Sequence, residues 1–346
     1  MIGAKLRFPH PKSARKNGLL AVSIAVGLLS AGCTRRDAGT AEDVQIIGTL
    51  GRQPGQFSQP RAVTITKRGT LVAIDRTGRM QTFSLASGEF IKQWFLPDYA
   101  NGTPTGISTD PIDDTLWVAD THYGRVLHYN EDGTLLGKFG ELGEGPGKFV
   151  FITDVVADPD GKTIWITDYG IKNRVIQFTR DGEYISEWGP EPYHNDELDR
   201  PSAVLLSPDA KSIYVVDTGN DRINIYDRAG NRIGRFGDAG SAPGQLKFPQ
   251  DITLAPDNTL YIVEYGNSRI SHFTLDGKFL GVWGHPGNKA GELFTPWGLA
   301  AAPTGELVIA DRMNQRLQML HHPTRDFTID GPIIASSITT AEDNAP

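Results

Sequence analysis

The chain has a single cysteine, Cys33, in 346 residues. That excludes any disulfide within it and leaves no thiol nucleophile in the body of the sequence. No Gly-x-Ser-x-Gly elbow is present, and no Gly-rich phosphate loop ahead of a helix, so the usual serine-hydrolase and nucleotide-binding signatures are missing. No apolar run is long enough to cross a bilayer comfortably: the stretch Leu19 to Ala31 covers 13 residues, where a spanning helix needs about 20. Positive charge is in deficit as well. With 34 basic and 41 acidic residues the formal charge is −7. Residues 1–33 hold five of the basic residues and none of the acids, so the chain beyond Cys33 stands at −12. An acidic body repels phosphate backbones, which argues against nucleic-acid binding.

The first 33 residues have the order of a secretory signal: a basic region (Lys5, Arg7, Lys12, Arg15, Lys16), the apolar stretch, then Leu29-Ser30-Ala31-Gly32-Cys33. This segment resembles a bacterial lipoprotein signal, although Ser30 stands where a large aliphatic residue is usual and Leu29 lies one place further back. The resemblance implies lipidation of Cys33, export to the cell envelope and a membrane anchor. With Thr34 following in place of aspartate, it favours an outer-membrane protein facing the periplasm. An ordinary signal peptide with a chance cysteine, or an uncleaved anchor, are the competing readings. Residues 34–43 read as a polar tether and 324–346 as a polar C-terminal tail.

What dominates the rest is repetition. Six short apolar runs each end in an acid, at Asp75, Asp120, Asp168, Asp217, Glu264 and Asp311. Each is followed by an arginine opening another apolar run, at Arg79, Arg125, Arg174, Arg222, Arg269 and Arg316, in steps of 46 to 49 residues. Short strands, Gly-rich turns and a period in this range predict an all-β, six-bladed β-propeller with four antiparallel strands per blade. The expected blades are 52–95, 96–140, 141–189, 190–237, 238–284 and 285–323. The sixth repeat has no obvious fourth strand, and 44–51 reads as a fourth strand with nothing before it, so it is expected to complete the last blade and close the ring within 44–323. The rival for that place is Asp326 to Ile329. The acid–arginine pairs are read as structural, bridging the two sides of a turn; as exposed pairs they would contribute about 0–1 kcal/mol each.

These repeats resemble NHL repeats. The likeness spans about residues 46 to 322 and rests on three features. They are the Pro-Gly-x-Phe approach (Pro54–Phe57, Pro146–Phe149), the apolar-Asp strand end, and the Asn-x-Arg-Ile exit at 220–223 and 267–270. NHL proteins include protein- and RNA-binding platforms, sensor domains and the lyase domain that makes amidated peptides. In that lyase, histidines after the inner-strand proline hold zinc. The matching positions here are Arg61, Thr105, Thr153, Ser202, Gln250 and Trp297, and none is histidine.

Inner strands line a propeller's channel, so these six residues and the second-to-third-strand turns open on one mouth. Arg61 suits a carboxylate or phosphate, and Trp297 offers an aromatic platform. Asp154 and Asp251 follow their opening residues and are placed to accept hydrogen bonds or join a cation site. His122, Tyr123, Tyr169, Tyr265 and Arg312 are expected to rim the mouth. The leading expectation is a membrane-tethered, monomeric, non-enzymatic module that binds a protein, peptide or envelope glycan at this face. No cofactor is expected, and a calcium ion in the channel stays open. The alternative is a metal-assisted propeller enzyme, a lyase or lactone hydrolase; RNA binding is a third reading.

Overall fold

The computed structural model describes residues 44–189 and 198–321, together with Pro323 and Phe327. Cys33, the leader, the tether, His194, His322 and nearly all of the tail lie outside the described residues. Among these residues six four-stranded antiparallel sheets succeed one another along the chain. Blade 1 runs Pro60–Ile65, Thr70–Asp75, Arg79–Ser84 and Phe90–Phe95 from the inside outward. Blades 2 to 5 repeat this order from the inner strands Gly106–Thr109, Phe151–Ala157, Pro201–Leu206 and Pro249–Leu254.

Side-chain alternation explains why the sheets form a ring. Successive residues of a strand point to opposite faces, and each second strand is buried on both. In Thr70–Asp75, Val72 and Ile74 pack with Leu116, Val118 and Leu127 of blade 2. Leu71 and Ala73 pack with Ala300, Val308 and Leu317 of blade 6. The same arrangement recurs at the other four blade junctions. The core is therefore six interfaces between neighbours, one of them joining the last blade to the first.

The sixth sheet is Leu299–Ala301, Leu307–Asp311, Arg316–Leu320 and Val44–Ile47, with Val44 opposite Leu320 and Ile47 opposite Leu317. The N-terminal strand thus completes the last blade, as its sequence predicts. Val44 joins the core between blades 5 and 6 and Ile47 the core between blades 6 and 1, so one short strand ties both junctions. Phe327, from the rival segment, lies instead on Tyr261 of blade 5, ring centres 5.1 Å apart.

The Gly-rich approach loops fold back on the preceding fourth strand. They make short parallel bridges, Leu50 to Phe57, Leu142 to Phe149 and Ala239 to Leu246, with His285–Pro286 beside Glu292–Leu293 in blade 6. Phe57, Phe149, Leu246 and Leu293 are fully buried plugs. In blade 6 the plug is Leu293, while Phe294 is exposed.

One expectation is corrected. The six acid–arginine pairs are buried rather than exposed: every acid side chain is inaccessible, and the arginines are between 2 and 12% exposed. In blades 1, 3, 5 and 6 the approach loop covers the turn, and in blade 2, which lacks that loop, Asp98 pairs with Arg125 as well. Arg269 donates to the carbonyls of Ser241 and Gln245 and Glu264 accepts from the Lys247 amide. Arg316 donates to Lys289 and Glu292 and Asp311 accepts from the Phe294 amide. The pair is the clamp that holds the loop down.

Candidate functional site at the channel mouth

A β-bulge shapes the mouth. In blades 1, 3, 4 and 5 the register slips by one residue at Arg61, Thr153, Ser202 and Gln250. A bulge inserts an unpaired residue and re-aims its side chain. The residue after each bulge returns to the ladder. That column reads Ala62, Asp154, Ala203 and Asp251, and Gly106 and Gly298 hold the same place in blades 2 and 6. The glycines permit close approach: a Cβ on Gly298 would lie 2.4 Å from the Arg61 carbonyl, and one on Gly106 would lie 2.5 Å from that of Thr153.

Three of the predicted site residues bind the blades to each other. Thr105 donates to the Thr153 carbonyl at 2.9 Å, Thr153 to the Pro201 carbonyl at 2.8 Å and Ser202 to the Gln250 carbonyl at 2.7 Å. Their hydroxyls join adjacent inner strands and leave little to offer a ligand. Tyr123 is engaged elsewhere too: its hydroxyl accepts from the Asn101 amide at 3.1 Å and Arg125 lies 4.7 Å over its ring.

The others gather on blades 6 and 1. Trp297 has the guanidinium of Arg61 5.6 Å and that of Arg312 4.8 Å from its ring centre, and Tyr265 meets it edge-on at 5.9 Å. Cation–π contact of this kind favours an ordered guanidinium. A third arginine, Arg76, is joined through Gln59, whose Oε1 accepts from both Arg76 and Arg312 at 3.3 Å. Burial, and then the charges of Arg312 and Arg76, lower the Arg61 guanidinium to about 10. Arg312 is also lowered, first by burial. Across the mouth, Tyr169 stacks on Phe151 and His122 meets Phe151 edge-on. His122 is held below its ordinary range by burial and by the Arg61 charge.

Arg76, Gln59 and Phe151 escape the sequence reading. The signal for Arg76 was available. It follows Asp75 directly, in the column that also supplies Tyr169, Tyr265 and Arg312.

Beneath the mouth, Asp154 and Asp251 share the central channel, a cavity of about 130 Å³ lined by all six inner strands. Asp154 accepts from the Val204 amide at 3.1 Å, and Asp251 from the Leu299 amide at 2.9 Å and its neighbour Ile252 at 2.8 Å. Each carboxylate therefore caps the inner strand of the next blade. Their side chains keep a little surface on the lumen, but protein encloses them, and burial disfavours the charged form. It raises Asp154 to about 7. Burial, with the Asp154 charge second, raises Asp251 well above the usual carboxylate range. Organic ligands occupy pockets of roughly 300–1,000 Å³, so this channel suits water and the carboxyl protons.

The histidines are dispersed. His128 stacks on Trp117 at 3.7 Å and hydrogen-bonds Thr115. His272 stacks on Tyr261 at 4.6 Å, hydrogen-bonds Thr259 and is lowered to about 4 by burial. Among the described residues no three His, Cys, Asp or Glu side chains converge to hold a metal ion.

Fold and mouth together define an all-β six-bladed propeller with a narrow channel and a polar, aromatic opening. Comparison with known proteins places relatives beside it. The family described as SMP-30/Gluconolactonase/LRE-like region matches residues 143–292. NHL repeat-containing protein 3 of Mus musculus is 26% identical over 208 residues, which cover 56% of this chain and 56% of that protein. Peptidylglycine alpha-amidating monooxygenase of Rattus norvegicus is 26% identical over 132 residues, 36% of this chain. The chain spans only 13% of the length of that curated relative. Among solved structures, a streptogramin B lyase superposes with a TM-score of 0.58 at 14% identity, over 82% of this chain and 99% of that one. A catalytically inactive virginiamycin B lyase from Staphylococcus aureus with quinupristin gives 0.56 at 19% identity, over 85% and 88%. At such identities the solved structures speak for the propeller fold.

Proposed function

We propose that this protein is a non-enzymatic binding module, exported to the cell envelope and tethered there through lipid on Cys33, that captures a protein, peptide or glycan segment at its channel mouth. The observation that carries the reading is the Arg61–Trp297–Arg312 cluster, two guanidiniums ordered on one partly exposed indole. Arg61 and Trp297 each occur in one blade's opening position, whereas the structural clamp recurs in all six. A ligand that touches some blades and not others leaves that pattern. The tether follows from the small-residue run before Cys33. Acylation adds about 0.8 kcal/mol per buried methylene, so a multiply acylated N-terminus stays on a membrane.

The test is affinity capture of the native partner from an envelope extract, with mass measurement of the mature chain to read lipid on Cys33. Replacing Arg61 and Trp297 together by alanine should remove captured partner while the circular dichroism spectrum and cooperative melting persist. Undiminished capture by the folded double variant would put the site on another face.

A further inference from the structure

We infer that the mouth is an anion site, built to hold one carboxylate of its ligand among Arg61, Arg312 and Arg76 with an apolar or aromatic group of the same ligand against Trp297 and Tyr265. This inference rests on the binding reading above and assigns the ligand's chemistry.

Three observations converge on it. First, three guanidiniums share one place on blades 6 and 1. Two lie at Trp297, and Gln59 joins the third to them by hydrogen bonds at 3.3 Å. Second, no carboxylate among the described residues pairs with any of the three, although every arginine of the six turn clamps has its acid. In a chain of formal charge −7, acids to neutralise them are not scarce. Third, the Nε atoms of Arg61 and Arg312 are buried without a hydrogen-bond partner. An unmet buried donor is costly, and a charged one more so. A negative charge bound beside the guanidiniums offsets that cost. Burial first, and after it the charges of Arg312 and Arg76, lower Arg61, and a ligand's negative charge offsets that repulsion.

The arrangement also indicates how much charge the ligand brings. The opening residues of blades 2 to 5 are Thr105, Thr153, Ser202 and Gln250, all neutral. The positive charge is therefore a spot and not a stripe. A nucleic-acid strand needs a track of cations along its phosphates, while one carboxylate needs a single planar fork. The indole and phenol beside the spot match an organic acid with an apolar body better than an inorganic ion.

Calorimetry on the full mature chain tests this with 3-phenylpropionate, its neutral amide, a short peptide ending in phenylalanine with a free or an amidated terminus, phenyl phosphate and oligouridylate. The acid and the free-terminus peptide should bind, and each amide should bind at least about tenfold more weakly, the loss expected when buried charged donors are left unpaired. Binding by the peptide alone would identify a chain terminus as the source, and binding by both a free organic acid. Arg61→Gln with Arg312→Gln should weaken the acids by a similar factor. Arg61→Lys with Arg312→Lys, which keeps the charge, should recover part of that loss and shows that the variants fold. Equal binding of acid and amide, or unchanged binding to the folded glutamine variant, would overturn the inference. So would tight oligouridylate or phenyl phosphate binding without the carboxylates. If no probe binds while capture from the extract still requires Arg61 and Trp297, the carboxylate assignment fails and the binding reading survives. If capture ignores both residues, the binding reading itself fails.

Discussion

Blades 1 and 2 carry the same acid–arginine clamp and use it differently. In blade 1, Arg79 donates to the carbonyls of Arg52 at 2.7 Å and Gln56 at 2.9 Å as well as to Asp75. Asp75 in turn accepts from the Ser58 amide at 3.1 Å and the Thr77 amide at 2.8 Å. Every part of the pair is occupied, by the approach loop and by Thr77 of the turn. Blade 2 lacks the Pro-Gly-x-Phe loop. There Arg125 keeps Asp120 at 2.7 Å and finds Asp98 at 3.0 Å, but Asp120 Oδ1 and Arg125 Nη2 are buried without partners. Burial raises the Asp120 carboxyl to about 6 despite the guanidinium beside it. The pair is thus not a uniform stabiliser repeated six times. Its value comes from the loop it fastens, and where the loop is missing the desolvation cost is left partly unmet.

That contrast has a sharp mutational form. Arg79→Met should be the most damaging single change in the ring. It strands the buried Asp75 and frees the loop that seats Phe57, at a cost of about 3–5 kcal/mol in urea unfolding. Arg125→Met removes the same residue type from the same register position. Because Asp120 already lacks part of its hydrogen bonding and Arg125 holds no approach loop, the loss should be smaller, roughly 1–2 kcal/mol. Equal losses at the two sites would mean that the ion pair alone carries the stability and that the loop contributes nothing.

The same contrast shows what could be read from the sequence. The six blades and their closure by Val44–Ile47 were legible because repetition sets the strands in register. The mouth was legible in part: Arg61, Trp297 and Arg312 stand in columns where the residue type changes from blade to blade. Arg76 was missed because it sits directly beside a clamp acid and reads as part of the clamp. The burial of the clamps was missed because in blades such as the first it depends on a loop folding back over the turn, 23 to 27 residues away for Arg79, which a spacing pattern does not encode. Spacing does place Asp154 and Asp251, 97 residues apart in numbering, on strands that line one channel, but not how far protein encloses them there.

The smallest and most diagnostic effect belongs to Asp120. An unfolded aspartate titrates near about 3.9, and in the folded protein Asp120 titrates at about 6. The folded state therefore binds this proton more tightly than the unfolded state does. The stability linked to that proton is fully present below about pH 3.9 and is lost as pH rises through about 6. Asp120→Asn has no such proton, so its unfolding free energy should decline less than wild type between pH 4.5 and pH 7, by on the order of 1 kcal/mol after allowance for solvent at a partly buried site. The measurement is a urea titration of both proteins at the two pH values, taking the difference of differences. Asn at this position does not titrate, so its own effect on folding is the same at both pH values and cancels in the comparison. A wild-type slope identical to that of the variant would show that Asp120 is ionised as comfortably as in the unfolded chain, and blade 2 would then need no separate account from blade 1.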